Sequence, residues 1–110
     1  MIELLGEKHP DVAESLNNVG GALGDLGNHS EALKYSLDAY TLLCEIFQEK
    51  HPYHELCLNN VIFYMNKISD KILLEKAKKQ ALPLCIEKFG EKHELTQKLK
   101  NAGRSGCNIQ

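Results

Sequence analysis

Gly6-Glu7-Lys8-His9-Pro10 is the stretch of sequence that decides the fold, because it returns twice at a fixed interval. It recurs as Gln48-Glu49-Lys50-His51-Pro52 and again as Gly90-Glu91-Lys92-His93-Glu94, each time 42 residues further along the chain. The register continues outside this stretch, since Leu16-Asn17-Asn18-Val19 aligns with Leu58-Asn59-Asn60-Val61. One spacing kept from a loop, through a helix, to the next loop indicates an internal structural repeat.

The first unit of the repeat predicts a pair of helices. Pro10 suits the first turn of a helix, and Gly27-Asn28 is a stop signal. Between them, residues spaced four, three, four and three apart place one apolar stripe on the helix: Val12, Leu16, Val19, Leu23 and Leu26. The second helix, capped by Asn28 or Ser30, has a broad apolar face: Ala32, Tyr35, Ala39, Leu42, Leu43, Ile46 and Phe47.

The second unit follows the same plan, and the third is shorter. The apolar positions of the second unit's first helix are Leu58, Val61, Ile62, Met65 and Ile68. Those of its second helix, after Ser69-Asp70, are Leu74, Ala77, Ala81, Leu84, Cys85 and Phe89. Pro83 lies inside that helix and predicts a kink, because it cannot donate to the carbonyl of Lys79. Leu95, Leu99 and Ala102 predict one short capping helix, followed by a frayed tail from Gly103.

These patterns together predict an all-α fold, an α–α superhelix of about two and a half helix pairs in a single domain. We expect repeat 1 over about 6–47, repeat 2 over about 48–89, a partial repeat over about 90–103 and a tail over 104–110. About three repeats are usually needed for a stable solenoid. Because the chain has only about two and a half repeats, we expect that it is either part of a longer array or a homodimer formed through the exposed ends of the solenoid. The sequence leaves both alternatives open.

The stretch Leu16-Asn17-Asn18-Val19-Gly20, followed by Gly27, Ala32 and Ala39, resembles the long tetratricopeptide repeats of kinesin light chains and related proteins. The resemblance covers about residues 6–103. It implies antiparallel helix pairs in a right-handed superhelix, with small residues where the two helices of a pair cross. Gly20, Ala32 and Ala39 suit those positions. In the second repeat Ile62 and Leu74 replace the first two, so that pair is expected to pack at a different distance or angle.

The resemblance also implies a protein–protein interaction module, or scaffold, whose first helices line a groove that holds a partner peptide or helix. In the family an asparagine on the first helix bonds the peptide backbone, and Asn18 and Asn60 match it; an amide both donates and accepts. Helical phase adds further candidates: Glu14, Asn17, Gly21, Gly24, Asp25, Asn59, Phe63, Asn66 and Lys67. The alternatives are a structural self-association element, part of a longer array in a regulatory protein, or asparagines that are merely tolerated on an exposed helix.

Other function classes find little support in the sequence. No phosphate-binding loop, Ser-His-Asp set or His-Glu-x-x-His pattern is present, so we expect no enzyme and no cofactor. His9, His51 and His93 stand one repeat apart, too far to share a metal ion, and their expected role is in helix entry; a site at His51, His54 and Cys57 lacks a fourth ligand. Glu14 and Asp25 disfavour the acidic chaperone tails that some family members bind.

Charge and composition point to a cytoplasmic protein with a protein partner. A net charge of −2 with interspersed signs gives no field that attracts nucleic acid or an anionic membrane. No basic segment with an apolar run opens the chain, and no stretch approaches the roughly 20 apolar residues of a membrane span. Cys44, Cys57, Cys85 and Cys107 show no paired spacing, so reduced and mostly buried thiols are expected.

Overall fold

The structure is a computed structural model, which describes residues 9–103, and it confirms the all-α prediction. Its five helices are α1 (Pro10–Asp25), α2 (His29–Ile46), α3 (Pro52–Met65), α4 (Lys71–Phe89) and α5 (Glu94–Asn101). The first helix of each repeat unit is therefore α1, α3 or α5, and the second is α2 or α4. Arg104 and the remainder of the predicted tail, including Cys107, lie outside the described residues.

Three histidines explain why one loop sequence recurs every 42 residues. His9, His51 and His93 each precede a first helix, and each ring accepts a hydrogen bond through Nδ1 from the backbone N–H two residues on, at 3.0, 3.1 and 3.0 Å. The side chain thus satisfies one of the N–H groups that a helix start leaves without a partner. The predicted role of these histidines in helix entry is confirmed, as is the place of Pro10 in the first turn.

The two second helices begin differently. At Asp70 the carboxylate accepts from the N–H groups of Ile72 and Leu73 at 3.0 and 3.1 Å. Asn28 stands 42 residues earlier and is the N-cap of α2, but its side chain makes no capping bond. Asn28 follows Gly27, which has a φ of +88° and ends α1 in a Schellman motif. In this motif the backbone N–H of Asn28 donates to the carbonyl of Leu23 at 2.8 Å.

The first pair, α1 and α2, packs with its backbones close together. Gly20 is buried at the crossing: a Cβ there would stand 3.2 Å from the carbonyl oxygen of Ala32 and 3.2 Å from Ser36 Oγ. Ala32 and Ala39 are fully buried, as predicted for small crossing residues. The stripe predicted on α1 is wrong in part, because its buried residues are Ala13 and Gly20, whereas Val19 and Leu26 are 43% and 77% exposed.

The second pair, α3 and α4, stands further apart. Cα atoms of α1 and α2 lie within 8 Å of each other along much of their length, whereas those of α3 and α4 hardly do. Ile62 and Leu74 occupy the positions equivalent to Gly20 and Ala32, and both are buried. α4 packs instead against α5 and α2. It runs through Pro83 as one helix, and the kink predicted there stays a prediction.

Side-chain contacts between helices join the two repeats. Tyr64 of α3 reaches α1: its ring fills the space beside Gly24, where a Cβ would meet Cε1 at 2.6 Å, and its hydroxyl donates to the carbonyl of Gly20 at 3.4 Å. Burial raises the pKa of Tyr64, with a smaller contribution from Asp25. The apolar face predicted for α5 is confirmed, because Leu95, Leu99 and Ala102 are all buried.

Candidate partner-binding face

The exposed sides of α1, α3 and α5 are linked by side-chain hydrogen bonds and are here together called the groove face. Asn60 Nδ2 donates to Asn17 Oδ1 at 3.1 Å and joins α3 to α1. Asn66, at the end of α3, accepts from the backbone N–H of Gly103 at 2.8 Å, just beyond α5. The three first helices therefore lie side by side, which brings most of the predicted site residues onto one surface.

The centre of the groove face is an apolar row on α3. Tyr53, Leu56 and Phe63 follow at spacings of three and seven residues, which places them on one side of the helix. They are 40%, 49% and 53% exposed, among the large apolar side chains that the fold leaves in solvent. Lys67 Nζ lies 5.1 Å from the centroid of the Phe63 ring, so a cation covers one side of this row.

A small cavity of about 120 Å³ opens between α1 and α3. Ala13, Leu43 and Cys57 form its buried walls. Its other lining residues are Glu14, Asn17, Asn18, Tyr53 and Leu56. The cavity is thus apolar inside and polar only along the α1 side of its rim.

A wider hollow of about 650 Å³ lies between α3 and α5. Its α3 side presents Asn59, Ile62, Phe63 and Asn66, and its α5 side presents Glu94, Gln97, Lys98, Asn101 and Ala102. Lys98 Nζ lies 3.4 Å from Glu94 Oε2, so the two charges on the α5 side offset each other. The second hollow is therefore broader and more polar than the α1–α3 cavity.

The structure gathers the predicted candidates but changes the roles of several. Asn18 is exposed on the rim of the α1–α3 cavity, and Asp25 is exposed at the far end of α1. A Cβ at Gly21 would meet nothing within 4 Å, so the surface there is open. The prediction of Gly24 as a groove residue is wrong, because the Tyr64 ring already fills the space beside Gly24 and leaves none for a ligand. Asn17 and Asn60 bond each other, which uses part of the hydrogen-bonding capacity of both amides.

Sequence reasoning found Glu14, Asn17 and Asn18 but missed the other lining residues of the α1–α3 cavity and the α5 side of the face. Leu56 could have been found, because it stands 42 residues after Glu14, which helical phase had placed in the groove. Tyr53 lies on the same side of α3, three residues earlier. Ala13, Leu43 and Cys57 carry no such signal, since their contribution depends on how three helices meet in space.

Cys57 and His54, the cysteine and the histidine of α3, are both buried. Cys57 forms a cavity wall, but burial, with a smaller contribution from Cys44, raises the pKa of its thiol to about 11, so the thiol is protonated at neutral pH. His54, fully buried beneath α2, uses both ring nitrogens: Nδ1 accepts from His51 N–H at 2.9 Å, and Nε2 lies 3.1 Å from the carbonyl oxygen of Leu43. Within residues 9–103 no three His, Cys, Asp or Glu side chains are grouped so that they could hold a metal ion.

Comparisons with known proteins agree with the repeat. A family model described as tetratricopeptide repeat matches residues 12–53, a span that runs from α1 to the start of α3. The 42-residue, kinesin-light-chain-like type is consistent with this model. No curated protein and no solved structure gives a significant match to the chain. In the part of the chain that the structure describes, no helix is long and apolar enough to cross a membrane.

Proposed function

We propose that the groove face binds a segment of a partner protein, because the tetratricopeptide repeat that matches residues 12–53 is generally a non-catalytic module for protein–protein interaction. The observation that carries the proposal is the exposed row of Tyr53, Leu56 and Phe63 on α3, which has a hollow on either side. Aromatic residues beside pockets are the usual anchors of protein interfaces.

The amides of the groove face suit the backbone of an extended peptide or the polar side of a helix. Asn18 and Asn59 are exposed, and each amide offers two donors and an accepting oxygen. Asn60 and Asn17 keep part of their capacity beyond the bond between them. Apolar anchors with adjacent amides therefore supply both affinity and orientation.

Peptides selected by the full-length protein from a random display library test this function. We expect Phe63→Ala to weaken the selected peptides about tenfold or more and Asn18→Ala to weaken them about threefold, since truncated anchors dominate interface energies. Ile72→Ala is the matched control, because Ile72 is also a large apolar side chain left in solvent, 74% exposed against 53% for Phe63, but it lies on α4. Isothermal titration calorimetry measures the affinities. Unchanged affinities in both groove variants would rule out the groove face as the binding surface.

Self-association is a second candidate function, favoured by exposed apolar side chains on α1. Val19 and Leu26 are 43% and 77% exposed there. The equivalent positions in the second repeat, 42 residues after Leu16, Val19 and Leu23, are fully buried. They are Leu58, Val61 and Met65 of α3, the helix against which α2 packs. We propose that a second copy of the chain covers the α1 side by the same surface in a symmetric dimer.

Sedimentation over a wide concentration range measures this association. Val19→Glu should convert the dimer to a monomer, because a carboxylate would be buried at the contact without a partner. Ile72→Glu, the control on α4, should leave the dimer intact. A wild-type protein that stays monomeric throughout the range would eliminate this candidate.

A further inference from the structure

The α1–α3 cavity differs from the rest of the groove face in being small and walled by the core. Ala13, Leu43 and Cys57, which form its walls, are 1%, 1% and 3% exposed. A volume of about 120 Å³ is close to that of engineered core cavities, near 150 Å³, which stay dry and bind small apolar molecules. By volume the cavity therefore holds one apolar side chain of the size of Leu, Ile or Val, and its walls of Ala13, Leu43 and Cys57 offer no partner to a charged group.

The rim of this cavity is acidic. Glu14 is the charged residue among those that line the cavity, and no Lys or Arg is among them. Asn17 and Asn18 complete the same edge on α1, and their amides are uncharged. Further along α1, exposed Asp25 adds a second negative charge, so the α1 side of the groove face carries carboxylates only.

The opposite side of the groove face has a different electrostatic character. Lys67 lies against Phe63, and Lys98 pairs with Glu94 across one turn of α5. A ligand that spans the groove face thus meets negative charge at the α1–α3 cavity and compensated or positive charge beyond α3. This asymmetry gives the bound segment a direction.

We propose that the partner segment places an aliphatic side chain in the α1–α3 cavity and a neighbouring Lys or Arg against Glu14. The inference rests on the proposed function of the groove face and specifies its ligand. The aliphatic group supplies affinity by burial among Ala13, Leu43 and Cys57. The cation supplies selectivity, because an acidic residue at the same place would face a carboxylate across a short distance.

The test is a comparison of the peptides selected from a random display library by the full-length wild type and by Glu14→Lys. The wild type should enrich peptides with Leu, Ile or Val beside Lys or Arg. Glu14→Lys should keep the aliphatic residue, exchange the basic neighbour for Asp or Glu, and bind the wild-type peptides about two- to fivefold more weakly, as expected for one exposed ion pair. Glu31→Lys, on α2 and away from the groove face, is the charge-matched control.

A second variant tests the cavity itself. Ala13→Leu should fill it and weaken the selected peptides about tenfold or more, the value of one buried aliphatic side chain. If thermal unfolding shows that this variant does not fold, the change in charge preference between the wild type and Glu14→Lys is the test of the proposal.

The outcomes separate the ligand class from the function. Peptides whose amide-shift perturbations map to the groove face, but whose charge preference is unaffected by Glu14→Lys, overturn this inference and leave the proposed function standing. Peptides whose perturbations map elsewhere, or a library from which no sequence is enriched, overturn both.

Discussion

The two repeats of this protein share a period but not a packing distance. In the first, Gly20 lies against the backbone of Ala32, and the helices meet closely. In the second, Ile62 and Leu74 stand at the equivalent positions, and α3 and α4 hold apart. The 42-residue period therefore fixes where helices begin and end, whereas single side chains at the crossing fix how far apart they lie.

In the second repeat, contacts with other helices hold α4, in place of close packing against α3. Leu74 packs beneath Gly103, where a Cβ would stand 2.8 Å from Leu74 Cδ1, so the end of the α5 segment covers it. Gln80 Nε2 donates to Thr41 Oγ1 at 2.9 Å and joins α4 to α2. α4 is thus held by the helices on either side rather than by its own partner in the repeat.

The largest change in stability should come from replacing Gly20, at the α1–α2 crossing, with the isoleucine that stands at the equivalent position of the second repeat. Gly20→Ile places a branched side chain against the carbonyl of Ala32 and should reduce the free energy of unfolding by about 3 kcal/mol, since overpacking must force α1 and α2 apart. Urea denaturation followed by circular dichroism measures it. Gly21→Ile, one residue away in open space, is the control and should be tolerated. Similar destabilisation by both variants would contradict the crossing argument.

His54 marks a second contrast, because the first repeat has Val12 at that position. Burial lowers the pKa of His54 below its ordinary value, although its bond to Leu43 opposes the shift. The imidazole of His54 therefore binds a proton more readily in the unfolded state than in the folded state. The contribution of His54 to the free energy of unfolding is fully present above about pH 6.5. It falls as the pH drops, by at most about 1.4 kcal/mol per pH unit for one proton. His54→Gln should lose about 2 kcal/mol at neutral pH and also this part of the pH dependence.

Urea denaturation at about pH 7 and about pH 5 measures this prediction. Val61→Ala is the matched control, since it destabilises the same helix without removing a titrating group. The free energy of unfolding of the control should fall with pH as the wild type does. If His54→Gln showed the same fall, the pH dependence would have another origin.

The caps of the two second helices offer a smaller test. Asp70→Ala should destabilise the protein by about 1 kcal/mol, because the N–H groups of Ile72 and Leu73 lose their acceptor. Asn28→Ala, at the equivalent position of the first repeat, should change the unfolding free energy by a few tenths of a kcal/mol at most, since its side chain makes no capping bond. Thermal unfolding of the two variants compares them directly. Equal losses would show that Asn28 caps α2 in solution.

The remaining prediction is a gain in stability. Gly21 stands 42 residues before Phe63, and a Cβ there would meet no atom within 4 Å. Gly21→Ala should therefore raise the unfolding free energy by about 0.5–1 kcal/mol, because alanine loses less backbone entropy in a helix than glycine. The same chemical denaturation measures it. A loss of stability would show that the helix face at Gly21 is covered in solution.

Sequence reasoning reached the helices and their order because those depend on local spacing. It was wrong about a side-chain cap for α2, since Asn28 stands at the N-cap without a capping bond and Ser30 lies inside the helix. It failed on α1, where the predicted stripe included Val19 and Leu26; which side of an amphipathic helix is buried depends on the neighbours that cover it. On the groove face the repeat register aligned Asn18 with Asn60, yet Asn17 is the residue that bonds Asn60. Helices from successive repeats are offset in space, and a sequence alignment does not contain that offset.

Tyr64 has a consequence for how the molecule comes apart. In a solenoid each repeat contacts only its neighbours, so cooperative unfolding depends on the interaction energy of each interface between neighbouring units. With its ring beside Gly24 and its hydroxyl at the Gly20 carbonyl, Tyr64 couples α3 to the tightly packed α1–α2 pair. We expect α1, α2 and α3 to unfold as one unit and α4 with α5 to open at lower free energy. The boundary of cooperative unfolding would then fall inside the second repeat, between its two helices.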